Sequence, residues 1–120
     1  MAMKAQNKIG SVREKLFRAY GERAAILKAL AHPTRLIMIE TMRESGEICV
    51  QDLVEMVGGD QSTISKHLAL LKQAGLVEDR KEGQRSFYRM ARRSIVDLLD
   101  CVESVLDEGA KAERGAARGR

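Results

Sequence analysis

The sequence is poor in the residues that build disulfide-linked or β-rich proteins. It contains two cysteines, one proline, no tryptophan, two tyrosines and two phenylalanines. Two cysteines without a secretion signal do not form a disulfide framework, so we expect reduced thiols and a cytoplasmic protein. No apolar run approaches the roughly 18 residues of a membrane span, so no membrane partner is expected. The apolar runs that exist are short and helical in period, which favours a mainly α fold.

No recognisable catalytic motif is present either. The chain lacks a glycine-rich phosphate loop and a paired His/Cys arrangement, so we do not expect an enzyme. Its 120 residues, 44% hydrophobic and 32% charged, suit one globular domain. Charge is segregated along the chain: residues 60–93 hold eight Lys or Arg against four Asp or Glu, whereas residues 94–108 hold five acids and no base. A basic segment of this kind indicates an anionic partner.

Periodicity divides the chain into helices and one hairpin. Helices are predicted at 11–30, 33–44, 50–57, from Asp60 or Gln61 onward, and at 93–108. His32 and Asp60 occupy N-cap positions, and Gly75 suits a helix end. Strands are predicted at 76–80 and 85–90, with the hairpin tip at 82–83. We expect a flexible N-terminus over 1–10, one domain over 11–108 and a disordered tail over 109–120.

The helix that begins DQSTISKHL has an unusual polar face. Ile64, Leu68 and Leu71 fall on one side, while the other side carries short hydrogen-bonding groups instead of Glu–Lys pairs. Such side chains let a helix approach base edges in the DNA major groove, where donors and acceptors are both presented. The predicted base-contacting residues are Gln61, Ser62, Thr63, Ser65, Lys66 and His67. The hairpin offers Arg80, Lys81, Gln84 and Arg85 to flanking phosphates or the minor groove.

The order short helix, glycine turn, polar helix and basic hairpin predicts a winged helix-turn-helix. The stretches ALAHPTRLIMIETM and ICVQDLVEMVGGDQSTISKHLALLKQAGLVEDRKEGQRSFYRM resemble the ArsR/SmtB family of winged-helix repressors. The resemblance implies a homodimer on palindromic double-stranded operator DNA, released by an inducer. It also implies dimerisation through the N- and C-terminal helices. The dimer residues expected from it and from the apolar stripes are Leu16, Ile95, Leu98, Leu99, Val102 and Leu106.

The inducer is left open by the sequence. EICVQDL resembles the family's arsenic and cadmium motif, but Gln51 stands where the second cysteine belongs. Cys49 and Cys101 are therefore candidates for binding As(III) or another thiophilic metal ion, or for thiol modification. The alternative is structural: Cys49 at a helix cap and Cys101 as a small apolar residue. Sensing of an organic metabolite, or no metal site at all, also fits, and no cofactor is certain.

Two further alternatives concern the acidic residues of the last helix and the class of binding partner. The carboxylates of the last helix lack a histidine, and we interpret them mainly as a solvated face. A rival class is a helical module whose winged helix binds protein or RNA. Specific binding to one palindromic duplex, weakening steeply with salt, would separate the two classes.

Overall fold

The computed structural model describes the backbone of residues 2–118 and the side chains of residues 7–117. Over this part of the chain it forms five α-helices and one three-stranded sheet. The helices are α1 (Ala2–Leu30), α2 (Pro33–Ser45), α3 (Val50–Val57), α4 (Gln61–Gln73) and α5 (Ser94–Arg118), and the strands are β1 (Glu47–Cys49), β2 (Val77–Glu82) and β3 (Arg85–Met90). The mainly α fold with a β-hairpin wing is thereby confirmed.

The sheet is antiparallel, in the order β1-β3-β2. In the hairpin, Arg80 lies opposite Phe87 and Glu82 lies opposite Arg85. β1 was not predicted from the sequence; it pairs Cys49 with Phe87 at the other edge of β3. Three residues are too few to display the alternation by which a strand is recognised. Through β1 the wing is hydrogen-bonded to the segment between α2 and α3.

The core is built around α2, as its apolar residues predicted. Met38, Ile39 and Met42 are fully buried or nearly so, whereas Ile37 on the same helix is exposed. The other members of the core come from every neighbouring element: Leu30, Ile48, Val50, Leu53, Ile64, Leu68, Leu71, Leu76, Val77 and Ile95. Burying each large apolar side chain contributes about 1.5–3 kcal/mol to folding, so this cluster holds α3, α4 and the wing in fixed positions.

The helix ends follow the predicted capping chemistry. The Thr34 amide donates to Nδ1 of His32 at 3.1 Å, and the Thr63 amide donates to the Asp60 carboxylate at 2.7 Å. Gly75 follows α4 with φ +76°, a left-handed conformation that costs glycine nothing. These ends fix where α2 and α4 begin and where the chain turns into the wing.

The two terminal helices are longer than predicted, which corrects the expected boundaries. The structure is helical over 2–10 and over 109–118, where the sequence analysis expected a flexible N-terminus and a disordered tail; residues 1, 119 and 120 lie outside the described part. Residues 2–10 contain Ala, Lys and Gln, and residues 109–118 contain Ala, Lys and Arg, all strong helix formers. Their glycines cost only about 1 kcal/mol each and do not end the helix.

α1 and α5 project from the body with apolar side chains in solvent. The radius of gyration is 20.1 Å, against about 14 Å for a compact domain of this length. The large apolar residues exposed on the two helices are Ile9, Val12, Leu16, Phe17, Tyr20, Ile26, Leu27, Val102, Val105 and Leu106. Within the described residues, no helix combines the length and apolar character needed to cross a membrane.

Candidate nucleic-acid interface

The polar face of α4 points into solvent while its apolar face is buried. Ile64, Leu68 and Leu71 are at most 1% exposed. On the other side, Gln61, Ser62, Thr63, Ser65 and Lys66 are all exposed. Gly58 and Gly59 both have positive φ in the turn from α3, which places α4 across α3. The orientation predicted from the helical period is therefore the one observed.

His67 is the exception on this helix, because it is half-buried against α2. Its Nδ1 lies 3.2 Å from Nη1 of Arg35, and its ring centroid is 4.5 Å from that of His32. A guanidinium can only donate, so Nδ1 of His67 accepts and its proton is on Nε2. Desolvation lowers the pKa of His67 below its usual value, and the charges of His32 and Arg35 lower it further. His67 thus joins α4 to α2, and Arg35 is a residue that the sequence analysis missed.

This contact predicts an acid sensitivity of the fold. The pKa of His67 is lower in the folded chain than in the unfolded chain, so the unfolded chain holds more protons as the pH falls. The stability that neutral His67 contributes is fully present above its pKa in the unfolded chain, about 6.5. It is lost as the pH falls through the lower pKa of His67 in the folded chain. Chemical denaturation at pH 7.5 and 5.5 should show a larger loss of stability for the wild type than for His67→Gln. Equal losses in both proteins would contradict this assignment.

The wing presents three of its four predicted contact residues to solvent without internal partners. Lys81, Gln84 and Arg85 are exposed, and neither of the two cations forms an ion pair with another described residue. Arg80 is different. It donates to Glu47 at 2.6 Å and to Glu82 at 2.8 Å, and its guanidinium stacks on Phe87.

The Arg80 contacts join the wing to β1, and whether Arg80 also contacts DNA stays a prediction. The hydrogen bond from Arg80 lowers the pKa of Glu47, which keeps that carboxylate charged and the pair intact. A second ion pair joins Lys72 of α4 to Asp79 of β2 at 2.8 Å. Hydrogen bonding to Lys72 likewise lowers the pKa of Asp79. The wing is therefore tied to β1 on one side and to α4 on the other.

The two cysteines lie in different environments. Cys49 is 5% exposed and occupies the N-cap of α3, but its sulfur accepts no capping hydrogen bond. Cys49 is therefore at the predicted cap position, but the predicted capping hydrogen bond is absent. Its side chain packs as a buried apolar residue. Cys101 is exposed on α5.

A metal or arsenite site does not form from these residues within one chain. Among the residues that the structure describes, no three His, Cys, Asp or Glu side chains come together in a metal-binding group. As(III) and other thiophilic ions require two or three thiolates. One cysteine is buried and Gln51 replaces the second cysteine of the motif, so the donor set does not fit such an ion in the single chain.

The predicted dimer residues divide into two groups. Leu16, Val102 and Leu106 are exposed, and so are Phe17 and Tyr20, which the sequence analysis did not select. Ile95, in contrast, is 4% exposed and belongs to the core of its own chain. Leu98 and Leu99 are half-buried against that core. Ile95 in the first turn of α5 packs into the core and so attaches the helix to the domain.

Together, the buried α2, the crossing α3–α4 pair, the outward polar face of α4 and the basic hairpin define a winged helix-turn-helix DNA-binding protein. The chain belongs to the arsR family of bacterial regulatory proteins, whose family description matches residues 32–79. It is therefore an ArsR-family transcriptional regulator and not an enzyme, as the sequence predicted.

Named relatives agree with this assignment. The chain is 44% identical over 89 residues to the arsenical resistance operon repressor of Escherichia coli K12. The alignment covers 74% of this chain and 73% of that protein. It is 33% identical over 93 residues to the biofilm growth-associated repressor of Xylella fastidiosa, covering 78% and 81%.

A solved structure extends the likeness to most of the chain. The homodimeric winged helix-turn-helix DNA-binding domain of a possible ArsR-family regulator from Mycobacterium bovis aligns with a TM-score of 0.70 at 33% identity. The alignment covers 79% of this chain and 87% of that one. It includes far more of the molecule than the helix-turn-helix motif alone.

Proposed function

We propose that the protein is a homodimeric repressor that binds a two-fold symmetric operator in double-stranded DNA. The observation that carries this proposal is the outward polar face of α4, which is free of acidic residues and held rigid by Ile64, Leu68 and Leu71. An acidic side chain there would repel phosphate. Hydroxyl, amide and ammonium groups instead match the donors and acceptors of base edges.

The proposed base contacts come from Ser62, Thr63, Ser65 and Lys66, with Gln61 at the start of the helix. Their side chains, apart from that of Lys66, are short, so the helix backbone can approach the floor of the major groove. His67 is proposed to support this surface from behind, since its Nδ1 is occupied by Arg35. Lys81, Gln84 and Arg85 are proposed to contact phosphates or the minor groove beside the site.

Two features support a dimer. α1 and α5 expose a row of large apolar residues that a lone chain leaves in water. The related Mycobacterium bovis domain is homodimeric. In a two-fold dimer, two copies of α4 would enter successive major grooves about 34 Å apart, which is why we expect a palindromic operator.

The proposal is tested by selecting duplexes from a random-sequence library with the purified protein. We expect a palindromic sequence to be enriched, with the measured affinity falling steeply as salt is raised. Tighter binding to RNA in a parallel selection, or equal binding to all DNA duplexes, would contradict it. The selected duplex then serves as the operator in every operator-binding experiment below.

The wing gives a matched pair of variants. Arg85→Gln should weaken binding to any duplex and reduce the salt slope by about 1, because this cation has no partner of its own among the described residues. Arg80→Gln should leave the slope nearly unchanged and lower stability only slightly, because exposed ion pairs contribute little. The measurement is fluorescence anisotropy at several salt concentrations. A larger loss of slope for Arg80→Gln would reverse the proposed roles.

We propose further that a small inducer releases the repressor. The Escherichia coli relative is an arsenical resistance operon repressor, so arsenite, Zn(II), Cd(II) and an oxidant are the first inducers to test on the protein–operator complex. Cys101 is the accessible thiol, and a thiol-directed inducer should therefore lose its effect in Cys101→Ser and keep it in Cys49→Ser. The converse pattern would assign sensing to Cys49.

A further inference from the structure

A cavity of about 380 Å³ lies between the second half of α1, the start of α2 and the second half of α4. Three alanines and Leu70 supply its apolar wall, and Lys28, Arg35 and Gln73 supply its polar groups. Leu70 is large and apolar yet 47% exposed. A concave apolar site with a few converging polar groups is the usual form of a small-molecule pocket, and its volume suits a small ligand. We refer to it as the α1–α4 pocket.

The polar groups of the α1–α4 pocket are cationic and lack a counter-charge. No acidic residue lines the pocket. Within the described part of the chain, neither Lys28 nor Arg35 forms an ion pair. The Arg35 guanidinium donates only to Nδ1 of His67 and, at 3.4 Å, to the carbonyl of Lys28. Its Nε is shielded from solvent and has no hydrogen-bond partner, which is a costly state for a donor on a charged group.

We propose that the α1–α4 pocket binds a small organic carboxylate with an apolar body. The carboxylate would accept hydrogen bonds from the Arg35 guanidinium and the Lys28 ammonium, with the Gln73 amide as a further donor. A guanidinium matches a carboxylate with two parallel N–H groups, and such charged hydrogen bonds are the stronger kind. The apolar body would cover Leu70 and the alanines, removing their surface from water.

The position of Arg35 couples this pocket to DNA binding. Arg35 stands at the start of α2 and donates to His67 of α4, the helix that carries the proposed base contacts. A carboxylate drawn to Arg35 competes with His67 for the same donors, which loosens the support of α4. Bound ligand should therefore lower operator affinity, and this regulatory step rests on the proposed function as a repressor.

Ligand binding is tested on the protein without DNA, by isothermal titration with benzoate, phenylacetate and hexanoate. We expect at least one to saturate at one molecule per chain, and its uncharged amide to bind about tenfold more weakly or worse. Arg35→Gln and Lys28→Gln should each weaken binding about tenfold or more. Lys15→Gln should not, because it removes the same charge from α1 about 20 Å away along the helix.

Arg35→Gln also removes the contact with His67 and could therefore destabilise the fold. Lys28→Gln avoids this, because the Lys28 side chain takes no part in the Arg35–His67 contact. Circular dichroism is used to check that each variant is helical. The proposal is overturned if none of the three carboxylates saturates the wild type, or if the one that does binds equally well to both pocket variants.

The regulatory step is measured separately, as operator affinity with and without the saturating carboxylate. Wild-type affinity should fall at least fivefold on ligand addition, while Lys28→Gln should respond only at higher ligand concentration. Unchanged affinity with saturating ligand would overturn the coupling. Failure of the ligand-free protein to bind any duplex would instead refute the repressor, and the titration without DNA keeps these two failures apart.

Discussion

Val105→Asp should convert the protein into a folded monomer that no longer binds its operator tightly. Val105 is 65% exposed, and Val102 and Leu106 share its face of α5. If this face is buried in the dimer, each chain would place an uncompensated carboxylate in an apolar contact, at about 3–5 kcal/mol per charge. Because that cost appears in both chains, association should weaken by at least about a hundredfold.

The matched control is Ser104→Asp. This substitution adds the same charge one residue away, about 100° around the helix from Val105 and outside the apolar stripe, where Ser104 is exposed. Sedimentation equilibrium should give a monomer for Val105→Asp and a dimer for Ser104→Asp, with equal helical content by circular dichroism. A Val105→Asp protein that remains dimeric would place the interface elsewhere. Leu99→Asp is less informative, because Leu99 also packs against the core of its own chain.

Lys66→Ala should reduce affinity for the selected operator by about 1–3 kcal/mol, or roughly five- to 150-fold. Lys66 is exposed on the polar face of α4 and forms no ion pair with any described residue. Alanine is the better helix former, so the loss cannot be attributed to a weaker helix. Affinity for an unrelated duplex should fall much less, since only the phosphate attraction is shared.

Lys72→Ala on the same helix is the control for this effect. The Lys72 ammonium lies 2.8 Å from the Asp79 carboxylate, so its charge is already matched inside the protein. Competition binding with selected and unrelated duplexes should show a small effect for Lys72→Ala on both. If Lys66→Ala and Lys72→Ala lose equal affinity for both duplexes, α4 contributes only sequence-independent attraction to phosphate.

Most of the fold could be predicted because the decisive signals are local. The period of Ile64, Leu68 and Leu71 gave the orientation of α4, and the caps at His32 and Asp60 gave two helix starts. β1 was not predictable, since its three residues become a strand only by pairing with β3. The ends of α1 and α5 were misjudged because glycine and charge were weighed above the helix propensity of alanine and lysine.

The parts of the site that escaped prediction depend on contacts across the chain. Arg80 looks like a free wing cation in the sequence, but Glu47 lies far from it along the chain and beside it in space. The pairing of Arg35 with His67 is hidden in the same way. Ile95 belongs to the apolar stripe of α5, and such a stripe can face either the core or a dimer interface. The packing of the start of α5 against the domain shows that Ile95 is a core residue.

The extended shape of the chain has a consequence for its lifetime in the cell. A radius of gyration of 20.1 Å reflects two long helices with little of their own chain to rest on. In the proposed dimer the partner would cover these helices, so by mass action the stability of α1 and α5 would rise with the abundance of the protein. Newly made copies at low number would be the ones most open to proteolysis. The amount of regulator would thus rise more steeply than its rate of synthesis.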